Sequence, residues 1–251
     1  MKSIFLSHKR FFLGLFSLSS TGLVWEIVGR RGLINPLFFS WPSPIVAELY
    51  KIIINGELIK HFQVTFLELS FGFGLACLAI PLGILMGRSE TLESLIDPII
   101  SAISSIPRVA LMPLVILLFG IGPRSKIFLV FFGCLFPILI NVFQGTKNVD
   151  KLTLDMGKVF GAKGWNLFEY IILPAIIPYL MASFQIAISI GLIMVIVSEF
   201  YVGSAGIGYK IAEESSLYHA STLMAWVLVI SIMSIFLTEL IKYFEKKMRW
   251  S

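Results

Sequence analysis

The sequence predicts an all-α membrane protein of about six transmembrane helices, on three observations. Of 251 residues, 57% are hydrophobic and 14% charged, against about 45–50% and about 25% in soluble domains. The apolar excess lies in runs of about 18 residues or more, the length that crosses a bilayer as a helix. The charges collect between the runs, with lysine and arginine heavier in alternate gaps. A soluble two-domain protein is excluded, because its surface would carry too few charges. The net charge of +5 is then lysine and arginine held on the cytoplasmic side, with no call for nucleic acid as a partner. Cys77 and Cys134 fall inside apolar runs and read as buried reduced thiols, without disulfide or metal-site spacing.

The elements follow in order. Lys2, His8, Lys9 and Arg10 precede an apolar run from Phe11 to Val28. A cleaved signal peptide also starts basic, but no small-x-small site closes this run. A first transmembrane helix with a cytoplasmic N-terminus is expected instead. The interval 29–61 is expected to be extracytoplasmic. Trp41-Pro42-Ser43-Pro44 sets an extended entry. Ser43 is placed to cap a short amphipathic helix over Ile45 to Ile54, with Val46, Leu49, Tyr50 and Ile53 on one face, ended by Asn55-Gly56.

The second span is expected over Phe62 to Gly87, kinked at Pro81, with Gly72, Gly74 and Gly83 allowing close helix contacts. Glu68 is the ionisable group in its outer half. Such a residue is a functional candidate by default, and the plainer alternative is an interfacial side chain facing water or a partner helix. After the charged loop Arg88 to Asp97, Pro98 is expected to start a third span, Ile99 to Ile121, broken at Ile106-Pro107-Arg108 and at Pro113. Arg108 facing lipid would be costly, so it is expected to face a polar cavity, a partner chain or the headgroups. Gly120 to Lys126 reads as a tight turn. The fourth span is Ile127 to Gly145, the fifth Ala175 to Val197, the sixth Ala220 to Ile241, followed by a basic tail with Lys242, Lys246, Lys247 and Arg249. In the fifth span Gln185 and Ser189, four apart, share a helix face.

With the N-terminus inside, the cytoplasmic gaps hold Lys2, Lys9, Arg10, Arg88, Lys147, Lys151, Lys158, Lys163, Lys242, Lys246, Lys247 and Arg249. The outer gaps hold Arg30, Arg31, Lys51, Lys60, Arg124, Lys126 and Lys210. The asymmetry places both termini in the cytoplasm.

Catalytic signals are missing. There is no His-Glu-x-x-His, phosphate-cradling GxxxxGK[ST] or cysteine cluster. Glu213-Glu214 with His219 has poor metal-ligand spacing and reads as a solvated loop. No catalytic residue, no metal and no cofactor is expected in this chain. Without a nucleotide site, energy for uphill transport must come from an ion gradient or a partner.

One polar stretch between two strongly apolar spans is longer than a connection needs. In it Asp155-Met156-Gly157 is followed, three residues on, by Gly161, then nine residues, then Ile171-Ile172-Leu173-Pro174. This resembles the coupling loop of ABC importer permeases, E-A-A-x3-G-x9-I-x-L-P, with Asp-Met-Gly at the Glu-Ala-Ala. Ile106-Pro107-x5-Pro113-Leu114-Val115-Ile116, Phe119-Gly120-Ile121-Gly122, Ser198-Glu199 with Gly203 to Gly208, and Trp41-Pro42-Ser43-Pro44 are similar to permeases of the sulfonate, nitrate and taurine group. The resemblance implies a type I importer permease fold, with 1–251 as a single transmembrane permease domain and cytoplasmic coupling helices in a loop over 146–174. It implies a homodimer on two ABC ATPase subunits, which use ATP and Mg, with solute delivered by an extracytoplasmic binding protein. Asp155, Met156, Gly157, Gly161, Ala162, Ile171, Leu173 and Pro174 would couple to the ATPase.

From the residues themselves, a helix over Lys151 to Phe160, a bend at Gly161 to Gly164 and a second helix from Trp165 make a lateral pair suited to docking. Asp155, near the first helix's start, would favour the helix dipole. Candidate pathway residues are Glu68, Arg108, Gln185 and Ser189. The group carries sulfonates, nitrate, taurine or small heterocycles such as thiamine-precursor pyrimidines. Relatives often hold a basic residue where Glu68 stands, and an acid facing the pathway would weigh against an anion. An ion-coupled carrier or channel acting without an ATPase is the alternative function.

Overall fold

A computed structural model describes residues 2–248, with side chains from residue 12 onward. The side chains of Lys2, Lys9, Arg10 and Arg249, expected to be cytoplasmic, lie outside those described. Among the described residues all regular structure is helical. The order is α1 (Lys2–Arg30), α2 (Pro42–Ile54), α3 (Glu57–Ala76), α4 (Ala79–Arg88), α5 (Glu90–Ser104), a 3-10 turn (Arg108–Leu111) and α6 (Met112–Phe119). Then come α7 (Pro123–Lys147), α8 (Lys151–Val159), α9 (Trp165–Leu167), a π turn (Phe168–Ile172), α10 (Leu173–Val202), α11 (Ile207–Ser216) and α12 (Ala220–Met248).

Among the described residues, five stretches are long and apolar enough to cross a membrane: Phe12–Arg30, Glu57–Arg88, Pro123–Lys147, Trp165–Val202 and Ala220–Met248. The expected third span is instead a bent pair, Glu90–Ser104 and Arg108–Phe119, at 81°. Pro107 lacks an N–H and disfavours helix at Ile106, which explains the corner. The first limb also starts earlier than Pro98. Ser89 caps α5 by accepting from the Leu92 N–H at 3.3 Å, so the helix runs from Glu90 through Pro98.

The chain divides into two compact units, Met1–His61 with Lys210–Val229, and Phe62–Tyr209 with Ile230–Ser251. In the first, α1 and α2 are tied by side chains. Trp25 Nε1 donates to the Ser40 carbonyl at 2.9 Å, and Glu26 accepts from the Ser43 N–H (2.9 Å) and hydroxyl (2.7 Å). Ser43 is therefore not a cap: Trp41 occupies that position without a side-chain bond. Pro42 and Pro44 have already removed two N–H groups from the first turn. The inward face of α2 is Ile45 and Ile52, while Val46, Tyr50 and Ile53 are exposed.

In the second unit α7 is the central element, with Leu129, Val130, Cys134, Ile138 and Val142 fully buried. Glycines let its neighbours approach. A Cβ on Gly83 would lie 2.9 Å from the Leu139 carbonyl oxygen, and one on Gly87 2.6 Å from Thr146 Cβ. On the α10 side, a Cβ on Gly133 would meet Met194 Cγ at 2.6 Å, and one on Gly191 the Cys134 sulfur at 2.9 Å. Gly72 sits equally close to Val130, but Gly74, expected to pack, faces open space. The expected kink at Pro81 appears as the break between α3 and α4 at Cys77-Leu78, because Pro81 cannot donate to, and clashes with, the Cys77 carbonyl.

Between α7 and α10 the chain folds as a helical hairpin. Asp150 caps α8, its carboxylate accepting from the Thr153 N–H at 3.1 Å and hydroxyl at 3.0 Å. Asp155, expected near the helix start, lies mid-helix, so Asp150 is the acid at the positive end of the dipole. The exit is a Schellman turn: Gly161 N–H bonds the Lys158 carbonyl (3.0 Å) and Ala162 N–H the Gly157 carbonyl (2.9 Å). Such a turn needs a left-handed residue, and Gly161 has φ +88°. The helix resumes at Trp165 and widens to a π turn ahead of Pro174, where a donor is missing. Leu154 of α8 packs with Ile172, Ile176 and Ile84, anchoring the hairpin to α10 and α4.

Two outcomes are expected. Gly83→Val should overpack the α4–α7 contact and cost about 1–3 kcal/mol, lowering the detergent-solubilised melting temperature by about 2–4 °C per kcal/mol; Gly74→Val should melt like the wild type. Asp150→Ala should speed deuterium exchange at Thr153 and Leu154 several-fold, whereas Asp155→Ala should not. The Thr153 hydrogen bonds hold the Asp150 carboxyl below its ordinary 3.8. A carboxyl depressed by folding stabilises above its unfolded value and loses that contribution as pH falls through the folded one. Exchange corrected for its intrinsic rate should therefore stay flat from about pH 8 to about pH 5 and rise only below about pH 4.

Candidate functional site

The hairpin presents an exposed apolar face. Leu152, Met156, Val159, Phe160 and Trp165 are all exposed, Val159 and Phe160 by 86% and 85%. On the same hairpin Asp155 is paired to Lys158 at 2.9 Å. That hydrogen bond and charge hold the Asp155 carboxyl below its ordinary value. Trp165 and Phe168 rings lie 5.1 Å apart and stiffen the turn into α9.

The eight motif residues divide by role. Asp155 and Met156 point outward, and Gly161 makes the turn. Gly157 is buried, and Ile171 Cδ1 occupies the space a Cβ there would need. Glycine in place of the second alanine of the motif thus lets α8 lie closer on the π turn. Ala162 carries the Schellman N–H, Leu173 packs beside the Leu154 cluster, and Pro174 sits in the first turn of α10.

The four candidate pathway residues do not form one cluster. Glu68 is buried and forms an ion pair with Lys126, both side chains 6% exposed. Lys126 is thus a buried counter-ion inside α7 and not a charge of the preceding turn. Gln185 donates to Glu245 Oε2 at 3.2 Å, and the exposed Ser189 gives its hydroxyl to the Gln185 carbonyl at 3.0 Å. Ser189 lies on a groove of about 610 Å³ lined by α10 and α12 residues including Leu192, Ile196, Ser231 and Ile235. Arg108 sits in the 3-10 turn at the corner of the bent pair, its guanidinium carbon 5.5 Å from the Phe136 ring centre.

Sequence reasoning missed a buried polar knot. Glu199, fully buried, accepts from the Thr65 hydroxyl at 2.7 Å and the Gly208 N–H at 2.6 Å. Thr65 in turn accepts from the Ile207 N–H at 2.8 Å. The two side chains satisfy the first donors of α11, which would otherwise be orphaned. Any Cβ on Gly203, Gly206 or Gly208 would run into Glu199. The signal was an acid closing a charge-free span, followed by three glycines, but its partner Thr65 is 134 residues away. This capping also starts a helix where a glycine-rich loop was expected. Glu213 and Glu214 lie on α11, with Glu214 buried and hydrogen-bonded to His219 Nδ1 at 2.9 Å. Burial alone would lower the Lys210 ammonium pKa. Its hydrogen bond to Glu213 at 2.6 Å and the charges of Glu57 and Glu214 outweigh that, and the net direction is upward.

Known proteins share this chain and fold. It is 28% identical over 229 residues to the putative aliphatic sulfonates transport permease SsuC of Bacillus subtilis, covering 90% of this chain and 83% of that one. It is 27% identical to the taurine transport system permease TauC of Escherichia coli, covering 91% and 85%. A putative ABC transporter permease of Methanocaldococcus jannaschii is 31% identical, covering 90% and 86%. Among solved structures, the inward-facing MetNI methionine ABC transporter superposes with a TM-score of 0.61 at 18% identity, over 82% of this chain and 99% of that one. An amino acid ABC transporter gives 0.63 at 17%, over 79% and 97%. The fold is that of ABC importer permeases. The pattern of one family matches residues 79–250, and the chain belongs to that family, the inner membrane components of binding-protein-dependent transport systems.

Proposed function

We propose that this permease forms the translocation pathway of an ATP-driven importer for a small solute, with α8 and α9 as the lateral helices that dock on a separate ATPase. The observation that carries this is the hairpin's two faces. One is fixed to the membrane helices through Leu154, Ile172 and Ile176; the other exposes Leu152, Met156, Val159, Phe160 and Trp165 beside Asp155. A rigid anchor and an unsatisfied apolar face together can convert ATPase closure into rigid-body motion of α10 and α4. Asp155, Met156 and Gly161 act at the docking face. Gly157, Ala162, Ile171, Leu173 and Pro174 set its angle.

The chain works as a homodimer with both termini in the cytoplasm, and ATP and Mg are used by the partner. An extracytoplasmic binding protein delivers the solute. Relatives named for aliphatic sulfonates and taurine favour a small sulfonate. Arg108, Gln185 and Ser189 are offered for the pathway. Glu68, neutralised by Lys126, fits better as a support for the outer end of α3, which removes the acid that would weigh against an anion.

The test is co-purification from native membranes in mild detergent, for the wild type and for Asp155→Lys combined with Gly161→Trp. The wild type is expected to bring down an ATPase and a solute-binding protein. The double variant should elute at the same size but lose at least ten-fold of the associated ATPase activity. A well-folded wild type that retains no ATPase even after gentle cross-linking would overturn the importer assignment in favour of ion-driven uptake by this chain alone.

A further inference from the structure

We propose that Arg108 is the charge-selective residue of the pathway, engaging the anionic head of the solute at the corner between α5 and α6; this rests on the importer reading above. Of the four pathway candidates, three have found partners within the chain, although one Glu68 oxygen, Oε2, is buried without a hydrogen bond. Glu68 is balanced by Lys126, Gln185 donates to Glu245, and Ser189 donates to the Gln185 carbonyl. Arg108 has not. Its Nε is buried and meets no acceptor, and it forms no ion pair among the described residues. Its guanidinium carbon lies 5.5 Å from the centre of the buried Phe136 ring, which fixes the group without neutralising it.

Location sharpens the point. The corner falls inside the bent pair, between the 15-residue α5 and the 8-residue α6. Broken backbone at membrane depth is tolerated only where protein covers it or a watery cavity adjoins it. A guanidinium without an ion pair beside such a break is matched by an anion. A planar fork of N–H donors matches a sulfonate or carboxylate by paired hydrogen bonds, which a lysine cannot reproduce. The same chemistry describes a lipid phosphate headgroup, and the phosphatidylglycerol arm below separates the two sources.

The probes are ethanesulfonate, its neutral isostere ethanesulfonamide, and phosphatidylglycerol, applied to the full chain with its co-purified subunits in maltoside detergent. Ethanesulfonate at ten times half-saturation should raise the wild-type melting temperature by about 3 °C or more, and ethanesulfonamide should not. Arg108→Gln should abolish the response, and Arg108→Lys should weaken affinity about ten-fold. Should Arg108→Gln misfold by size exclusion, Phe136→Leu keeps the charge, loses the stacking, and should weaken affinity several-fold. An equal response to ethanesulfonamide, a response surviving Arg108→Gln, no wild-type response, or loss of the sulfonate response once phosphatidylglycerol is bound would each overturn the proposal. ATPase co-purification is scored in the same preparation. Its presence without a sulfonate response removes Arg108 alone; its absence removes the importer reading.

Discussion

The fold depends on how closely α7 is approached by its neighbours. Lipid tails are as apolar as leucine, so burying leucine between membrane helices gains little over leaving it in lipid. Cohesion must come from dispersion at short range, and that requires backbones to come near. Gly83 and Gly87 bring α4 onto α7, while Gly133 and Gly191 bring α10 onto its other side. With those contacts made, the buried face of α7 fills without large side chains having to yield. The hairpin then inherits its position, since Leu154 rests on residues of α4 and α10.

Polar groups inside this bundle follow the complementary rule. The two buried acids of α3 and α10 are matched: Glu68 by Lys126, Glu199 by Thr65 and a backbone N–H. Removing one member of such a pair would strand the other, which is far costlier than replacing both by apolar side chains. Glu199 also shows how one acid shapes its surroundings. Its carboxylate occupies the volume that a side chain at 206 would need and crowds 208, while its backbone carbonyl closes off 203, so the sequence beside it has to be glycine.

Much of this was legible in the chain alone. The spans emerged from apolar run length, because lipid imposes a length on any helix that crosses it. The hairpin emerged from a motif whose spacing reflects real constraints: Gly161 takes a left-handed turn, and Gly157 opposes Ile171. What stayed hidden was pairing across distance. Nothing near Lys126 in sequence says that it lies beside Glu68, and its place after Gly120-Ile121-Gly122 suggested a turn in water. Local chemistry also misled where a stronger bond competed. Ser43 looked like a cap but bonds Glu26, and Pro98 looked like a start although Ser89 had already begun the helix. The corner at Pro107 was foreseen as a break, but its 81° angle was not.

The π turn at Phe168–Ile172 has a bearing on how this protein tolerates insertion and deletion. A π turn holds one residue more than an α turn. Loss of a single residue there would let an ordinary α turn form, and every side chain of α10 would keep its facing toward α7. The same loss farther along α10 would turn all that follows by about 100°, swinging Gly191 away from Cys134 and Glu199 away from Thr65. A length change is therefore absorbed by α10 only at this wide turn, where it alters instead the nine-residue spacing between Gly161 and Ile171 that seats the hairpin.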